Sequence, residues 1–335
     1  MALRWTWVPC LLAALALAGG CKREGVGEGS RLPTGPAPGA VQNPFSGAVI
    51  YKAPYSNADQ ARRRLENMGS PDAALVAKIS EQPQARWFGS WNADIQTVVT
   101  NYVNAAEREN ALALMVAYNI PNRDCGQYSA GGAGDPEAYR LWIRGYAEGI
   151  GERAAVVVLE PDALPQLTQC LAPPDQERRL ELLKEAVMVL GQKPRTAVYL
   201  DAGHSRWIPA DEMAQRLKRA GIESARGFAL NVSNFVGDEE LIAYGKSVIA
   251  ALGTPTHFII DTSRNGSGPT EDNQWCNPAG RALGRPPSAD TGEPALDAFL
   301  WIKNPGESDG ECLGGPPAGQ WFEERALEMA RNAKW

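Results

Sequence analysis

Short apolar runs rich in β-branched residues alternate with amphipathic helical stretches through most of this chain. Strands separated by helices of this length pair in parallel through right-handed crossovers, so the alternation predicts an α/β fold. About eight such units favour a closed or nearly closed parallel β/α barrel, similar to a TIM barrel, over an open doubly wound sheet, which remains the alternative. The predicted strands are 47–51, 86–91, 112–119, 154–160, 196–201, 227–232, 257–261 and 298–303. Examples of the predicted helices are 93–109, 136–150, 174–190, 210–220 and 238–252.

The N-terminus predicts an export signal over residues 1–20. Arg4 precedes an uncharged apolar run that is too short to span a membrane as a mature helix. The small residues 18–20 lie directly before Cys21, which resembles a bacterial lipoprotein signal with a lipidated cysteine; plain secretion is the alternative. Residues 21–44 are rich in Gly and Pro and predict a flexible linker, so the folded domain spans 45–335. We therefore expect an exported protein, either a lipoprotein facing the periplasm or cell surface, or a secreted chain.

The charge of the chain limits its partners. The net charge is −6 at pH 7, which makes nucleic acid and anionic surfaces poor partners and suits a neutral polymer. Contact with a membrane is expected only through the lipid anchor, and we expect a monomer.

Four cysteines follow the predicted linker, an even number in an exported chain, which indicates disulfides. Four cysteines allow three pairings, of which we predict the pairing of sequence neighbours, Cys125 with Cys170 and Cys276 with Cys312. A zinc site is the rival interpretation, but the chain has no Cys-x-x-Cys and only two histidines. We expect no metal.

Polar residues recur where the predicted strands end. In a parallel barrel these positions meet at the C-terminal mouth, where such folds carry their chemistry. Several converging aspartates could supply both the acid and the base that glycosidic bond hydrolysis needs, since neighbouring carboxylates cannot all ionise. The alternative role of a lone aspartate at such a position is a helix N-cap. The residues concerned are Asp124, Asp162, Asp201, Asn231, Asn234, Asp261 and Asp309.

Tryptophans are the second signal, because the apolar face of a sugar ring stacks on a flat aromatic side chain. Trp91, Trp207 and Trp275 each lie at or just beyond a predicted strand end, although any single one could belong to the core. His204 with Ser205 could suggest a serine nucleophile, but residues so close in sequence rarely form a triad. The glycine-dense segment 126–134 predicts either a surface loop or a lid.

Seven blocks of the sequence resemble the signature blocks of glycoside hydrolase family 6, the cellulases. They are YNIPNRDC at 118–125, LEPDAL at 159–164, YLDAGHS at 199–205, NVSNF at 231–235, DTSRNG at 261–266, WCNP at 275–278 and WIKNPGESDG at 301–310. The resemblance covers residues 45–335 and implies a distorted, seven-stranded parallel barrel, so one of the eight predicted strands would not join it. It also implies two disulfides with the pairing predicted above.

The resemblance further implies hydrolysis with inversion, without metal or cofactor. Asp162 matches the general acid, Asp201 keeps that acid protonated, and Asp309 matches the base, acting through a water chain. Asp124 would tune the water side of the site, and Tyr118 would press on the sugar at the cleavage point. Substrate-binding positions are matched by Trp91, His204, Trp207, Asn231, Asn234, Trp275, Lys303 and Glu307. Glu311 is a departure, because relatives often run from glycine straight into cysteine here, and Ser129 is the nearest match to a serine on the mobile loop.

The short spans 125–170 and 276–312 predict an open cleft and internal cleavage, since processive members of the family roof the cleft with extended loops. We therefore predict an endo-β-1,4-glucanase. The alternatives are a cellobiohydrolase and, from another class, a non-catalytic glucan-binding protein of the cell surface.

Overall fold

The computed structural model describes residues 42–335. The predicted export signal, Cys21 and the linker up to residue 41 lie outside the described residues. Within residues 42–335, no helix has the length and the apolar content needed to cross a bilayer.

Seven strands within residues 42–335 form one parallel sheet in simple chain order. They are β1 (Arg86–Phe88), β2 (Ala113–Ala117), β3 (Ala155–Leu159), β4 (Thr196–Asp201), β5 (Gly227–Leu230), β6 (His257–Asp261) and β7 (Leu296–Leu300). The α-helices are α1 (Asn57–Asn67), α2 (Ala73–Ser80), α3 (Ile95–Arg108), α4 (Pro136–Ile150), α5 (Leu167–Cys170), α6 (Pro173–Gly191), α7 (Ala210–Arg219), α8 (Asp238–Leu252) and α9 (Glu323–Asn332). Single 3₁₀ turns cover Asp124–Gly126 and Ile222–Ser224. The parallel α/β architecture with seven strands agrees with the prediction.

The strands are apolar on both faces because side chains fill the inside of the curled sheet and helices pack on its outside. Alternate residues point to opposite sides: Leu114 and Val116 of β2 pack inside the curled sheet, whereas Met115 and Ala117 pack against the surrounding helices. All five residues of β2 are buried. A continuous apolar run in this sequence therefore indicates a strand that is buried on both faces.

The sheet curls into an incomplete barrel, because β1 and β7 are its two edges and do not pair as a ladder. The gap is crossed by single hydrogen bonds: the Ala85 N–H donates to the carbonyl oxygen of Trp301 (3.0 Å), and the Trp87 indole donates to that of Ile302 (2.8 Å). A separate apolar cluster of residues from α1, α2 and α9 packs around Trp301 beside this gap. The open sheet edges are thus covered by helices rather than by another strand.

The prediction that 47–51 forms a strand of the sheet is wrong. Ile50 makes only an isolated parallel bridge with Leu112, just before β2. The predicted limits match for β4 and β6, whereas those of the other five strands differ by one to three residues; β1 ends at Phe88 and β7 begins at Leu296. The family resemblance, which implied seven strands, is confirmed on this point.

Both predicted disulfides are present. Cys125 pairs with Cys170 and Cys276 pairs with Cys312, across Cα separations of 5.6 and 6.2 Å. The first joins the segment after β2 to α5, and the second joins the segments that follow β6 and β7. Each disulfide therefore fixes a loop at the C-terminal end of the sheet.

Candidate active site

A cleft of about 720 Å³ lies at the C-terminal ends of the strands. It receives most of the residues predicted from sequence as site residues: Trp91, Tyr118, Asp124, Asp162, His204, Trp207, Asn234, Trp275, Lys303, Glu307 and Asp309. Asp201 and Asn231 are almost fully buried and do not line the cleft surface. The topology thus brings residues far apart in the chain to one groove.

Asp162 is held by a sharp turn after β3. Its φ angle is +68° and that of Glu160 is +50°, a left-handed conformation that costs about 1–2 kcal/mol for a residue with a Cβ. Asp201 stabilises this turn, because the Asp162 backbone N–H donates to Asp201 Oδ2 at 2.9 Å. Asp201 closes β4 and also accepts from the Gly203 N–H at 3.4 Å.

Burial raises the pKa of Asp162 well above its usual value, and the nearby carboxylates of Asp201, Asp124 and Asp309 raise it further. A hydrogen bond from Tyr118 opposes this rise. Burial also raises the pKa of Asp201, but the two backbone N–H groups that donate to Asp201 favour its ionised form. We therefore assign the shared proton of this pair to Asp162.

Asp309 has the opposite electrostatics. Burial disfavours its ionised form, but the charges of Arg264 and Lys303 outweigh burial and hold the pKa of Asp309 below its usual value. Arg264 Nη1 donates to both carboxylate oxygens at 2.9 and 2.8 Å, Lys303 Nζ lies 3.4 Å from Oδ1, and the Asn277 N–H donates to Oδ2 at 3.1 Å. One cleft therefore contains a carboxyl group whose surroundings favour the protonated form and another whose surroundings favour the ionised form.

Asp124 and Tyr118 belong to the segment that follows β2. Burial raises the pKa of Asp124, whose carboxylate accepts from the Ser129 N–H at 2.7 Å and from Gln166 Nε2 at 3.2 Å. The Arg123 guanidinium lies over the Tyr118 ring at 4.6 Å and donates to the carbonyl oxygens of Tyr118 and Ser129, both at 2.8 Å. Arg123 therefore fixes the loop that carries Asp124.

Exposed aromatic rings lie along the cleft. Trp91 is 55% exposed and Trp275 is 39% exposed, which is unusual for tryptophan unless it serves a contact. Trp207 packs against His204 with ring centroids 5.7 Å apart. Burial lowers the pKa of His204 to about 4, so this ring is neutral near pH 7 and can donate or accept a hydrogen bond.

The sequence and the structure both match proteins of one known family. The family model for glycosyl hydrolases family 6 matches residues 45–333. This chain belongs to glycosyl hydrolases family 6. It is 45% identical over 304 residues to Endoglucanase A from Thermobispora bispora, and the alignment covers 88% of this chain and 63% of that protein. It is 46% identical over 289 residues to Endoglucanase 1 from Streptomyces halstedii, which covers 84% of this chain and 88% of that protein.

Among solved structures, an endoglucanase from Mycobacterium tuberculosis in complex with a methyl-cellobiosyl thio-cellobioside superimposes with a TM-score of 0.83. The sequence identity is 42%, and the match covers 87% of this chain and 99% of that one. The predicted family resemblance is therefore confirmed. The chain spans less than two thirds of the Thermobispora bispora protein.

In this family 6 fold, Asn231 supports the cleft from behind. Its side chain is fully buried: Nδ2 donates to the Asp261 carbonyl oxygen at 2.8 Å, and Oδ1 accepts from the Val236 N–H at 3.0 Å. We therefore correct the predicted role of Asn231 from sugar contact to support of the turn that presents Asn234 to the cleft. Asp261 is likewise structural, since its carboxylate accepts from the backbone N–H groups of Ser233, Ser263, Ile302 and Lys303.

Glu307 lies at one end of the cleft. Its oxygens accept from Asn57 Nδ2 at 2.8 Å and from Asn304 Nδ2 at 3.2 Å. Burial raises the pKa of Glu307, and this effect exceeds the lowering by the charge of Lys303 and by the two hydrogen bonds.

Three supporting residues were missed by reasoning from the sequence. Glu160 is buried and accepts from the backbone N–H groups of Asn119 (2.9 Å) and Ile120 (3.0 Å), which joins the ends of β2 and β3. Arg264 holds Asp309, as described above. Tyr128 packs on Gly310, where a Cβ would overlap its ring, and lies 6.2 Å from the Trp275 ring. Their identities alone gave no signal, because Glu, Arg and Tyr after a strand are ordinarily solvated.

Within residues 42–335, no group of three or more His, Cys, Asp or Glu side chains is arranged to hold a metal ion.

Proposed function

We propose that this chain is an inverting endo-β-1,4-glucanase that hydrolyses internal bonds of cellulose and related β-1,4-glucans. The observation that carries the proposal is the pair of carboxyl groups with opposite pKa shifts, Asp162 raised and Asp309 lowered, in one cleft with exposed tryptophans. A glycoside hydrolase needs such an acid and such a base.

In the proposed reaction, Asp162 gives its proton to the glycosidic oxygen as the bond from that oxygen to the anomeric carbon breaks. A water molecule attacks the anomeric carbon from the opposite face, and its proton passes to the Asp309 carboxylate. As the family resemblance implies, we assign this transfer to a chain of waters rather than to direct contact. Asp201 keeps the proton on Asp162 before the reaction, and Tyr118 presses on the sugar ring at the cleavage point.

The sugar is held by stacking and by hydrogen-bonding groups. Trp91, Trp207 and Trp275 supply aromatic faces, and His204 and Asn234 supply polar atoms at the cleft surface. Lys303 and Glu307, which also line the cleft, bind hydroxyl groups. No metal or cofactor takes part in the proposed reaction.

Internal cleavage is supported by the names of the two relatives described above, both endoglucanases, and by the short disulfide-bounded loops. A cellobiohydrolase is the second candidate, favoured by one contact: Tyr128 joins the loops on the two sides of the cleft. The measurement that separates them is viscosity of carboxymethyl cellulose against reducing ends released. An endoglucanase lowers viscosity steeply at few cuts, whereas release of cellobiose with little loss of viscosity would contradict internal cleavage.

Inversion has its own test. Proton NMR of the first product should show the α anomer from a β-linked substrate before mutarotation. A β anomer as first product would contradict the water-attack mechanism.

Asp162→Asn should lower kcat on unactivated glucans by about 10²–10⁴-fold, the usual contribution of a general acid, while oligosaccharide affinity stays near wild type. Turnover and calorimetric Kd for a cello-oligosaccharide measure the two effects, with the exposed Asp290→Asn as the matched control. A parallel loss of affinity would contradict the acid role. Binding with no turnover in the wild type would instead identify a non-catalytic glucan-binding protein.

We also propose that the protein is exported, is anchored by a lipid on Cys21 and acts as a monomer. Cys21→Ser should move the protein from the membrane fraction to the soluble fraction, and light scattering should give the mass of one chain. A membrane fraction unchanged by Cys21→Ser would indicate another anchor, whereas wild-type protein found only in the soluble fraction would indicate plain secretion.

A further inference from the structure

A second pocket, of about 270 Å³, adjoins the cleft at its Glu307 end. Arg86, Asn304 and Glu307 line both the cleft and this second pocket. We call it the Tyr55 pocket, after the exposed residue at its edge. Its volume equals about nine water molecules at liquid density, which is on the scale of one sugar ring.

The Tyr55 pocket is lined mainly by neutral hydrogen-bonding side chains. Asn57, Gln60, Gln82 and Gln84 contribute amides. Its lysine, Lys52, is engaged by the Ser80 carbonyl oxygen at 3.3 Å and lies 4.0 Å from the Asp59 carboxylate. Asn57, Gln60 and Gln84 already donate amide hydrogens to protein oxygens, which leaves their side-chain oxygens as acceptors. Acceptors of this kind suit a neutral polyhydroxylated ligand better than an anion.

Tyr55 offers an aromatic face beside these amides. Its side chain is 67% exposed and its φ angle is +69°, a strained conformation for tyrosine. Two contacts hold it: the Arg63 guanidinium lies 5.1 Å from the ring centroid, and Gln60 Nε2 donates to the Tyr55 carbonyl oxygen at 3.1 Å. An exposed ring fixed at the edge of a polar pocket repeats the arrangement of Trp91 and Trp275 in the cleft.

Hydrogen bonds of Asn57 connect the Tyr55 pocket to the cleft. Asn57, at the start of α1, lines the Tyr55 pocket and donates to Glu307 Oε1 at 2.8 Å and to the Gly319 carbonyl oxygen at 3.3 Å. Glu307 and Gly319 line the cleft. A glucan chain bound past Glu307 would therefore meet Asn57 and Tyr55 next.

We propose that the Tyr55 pocket is an additional binding position for one sugar ring of a β-linked glucan whose other rings occupy the cleft. This inference rests on the proposed glucanase function and deepens it. The position takes no part in bond cleavage, so it contributes only for substrates long enough to reach it.

The test is a series of cello-oligosaccharides from cellotriose to cellohexaose, with kcat/KM measured for each length. Tyr55→Ala should lower the ratio of kcat/KM on cellohexaose to kcat/KM on cellotriose by about 5- to 10-fold, a loss typical of one aromatic contact. Tyr55→Phe, which keeps the ring, should retain the wild-type ratio. Met68→Ala, also exposed and lying at the end of α1 outside both pockets, is the matched control.

Cleavage position supplies a second readout, because loss of a binding position shifts how an oligosaccharide sits in the cleft. With cellopentaose labelled at its reducing end, Tyr55→Ala should change the ratio of products, whereas Met68→Ala should not. An unchanged length ratio together with an unchanged product ratio would overturn the proposal while leaving the glucanase function intact. Failure of the wild type to hydrolyse any member of the series would overturn the proposed function itself.

Discussion

Glu160 places a buried carboxyl group directly before the segment that carries Asp162. Burial raises its pKa to about 7, although backbone N–H groups of Asn119 and Ile120 donate to it. An unfolded glutamate titrates near pH 4.3. Its folded pKa is the higher one, so its contribution to stability is complete below about pH 4.3 and is lost as pH rises through about 7.

Glu160→Gln should therefore remove part of the pH dependence of folding. Between pH 4 and pH 8, the free energy of unfolding of the wild type should fall by about 3 kcal/mol relative to that of Glu160→Gln. Urea unfolding at several pH values measures the difference. Glu152→Gln, a change at an exposed carboxyl group, should keep the wild-type profile, and the same profile in Glu160→Gln would contradict the assignment.

Arg264 sets the charge of Asp309 without lining the cleft. Removing this cation should raise the pKa of Asp309. Because the reaction requires the ionised form, Arg264→Gln should move the acid limb of the kcat/KM profile upward by about one pH unit.

The pH profile separates this positioning role from loss of folding, which would lower activity at every pH without moving the limb. Arg264→Lys, which keeps a positive charge, should restore much of the wild-type limb. An acid limb that stays in place in Arg264→Gln would show that another group governs it.

At this scale the strand pattern predicts the carboxyl groups but not their protonation states, which only the family resemblance implied. Asp162, Asp201 and Asp309 could be recognised because each follows a strand, and parallel topology brings such positions together. Which of them holds the proton depends on burial and on donors from distant parts of the chain, such as the Asp162 N–H that donates to Asp201. The same limit explains why the supporting role of Asn231 was not predicted. Its side chain donates to the carbonyl oxygen of Asp261 on β6 and accepts from Val236 in the loop after β5.

At the scale of elements, two disulfide-bounded loops meet through one side chain. Tyr128 follows the 3₁₀ turn that contains Cys125, and it packs on Gly310, two residues before Cys312. Because Gly310 has a φ of +153° and no Cβ, the ring can lie against its backbone. This contact joins the two sides of the cleft.

If internal cleavage is the mode of action, this contact must open to admit the middle of a polymer. Tyr128→Ala should raise kcat/KM on carboxymethyl cellulose relative to that on cellotetraose by about two- to tenfold, the energy of ordering one large side chain. Reducing-end assays on both substrates give the ratio. Tyr128→Phe is the control, and a fall in the ratio for Tyr128→Ala would instead make the ring a binding platform for long chains.

Some helix limits were predictable from the sequence. The predicted helices 136–150 and 238–252 match α4 and α8, and Asp135 caps α4 with a hydrogen bond to the Ala138 N–H. The run 47–51 has strand composition but finds only one bridge, because α1 and α2 rather than a further strand occupy the space beside β1 and β7. Local pattern cannot reveal which element fills that space.

At the scale of the whole molecule, closure of the barrel was the step beyond the reach of the sequence pattern. Eight strand-like runs favour a closed barrel, yet the sheet has two edges held by the contacts of Ala85 and Trp87 across the gap. The family resemblance supplied the correct strand number because it carries information on the complete chain. The Tyr55 pocket lies beside this gap, on residues that precede β1.

The end of the barrel opposite the cleft contains a second charged network. Asp297 of β7 accepts from Tyr199 (2.6 Å) and from Arg226 (2.9 Å to each oxygen), and His257 Nδ1 lies 3.1 Å from it. Burial opposes ionisation of Asp297, but the hydrogen bonds from His257, Arg226 and Tyr199 outweigh it and lower its pKa. The network therefore links β4, β5, β6 and β7 far from the proposed chemistry.

Asp297→Asn should lower the free energy of unfolding by about 3–5 kcal/mol near pH 7, the usual result of breaking a buried ion pair, while kcat/KM of the folded protein stays at its wild-type value. Because the folded pKa of Asp297 is lowered, its contribution is present above the unfolded pKa of about 3.9 and is lost as pH falls through the folded value. The stability gap between wild type and variant should thus narrow below about pH 4, which urea unfolding measures directly. Asp290→Asn is the surface control. A gap that is constant with pH would mean that packing rather than charge makes Asp297 important, and a fall in kcat/KM would mean that the two ends of the barrel are coupled.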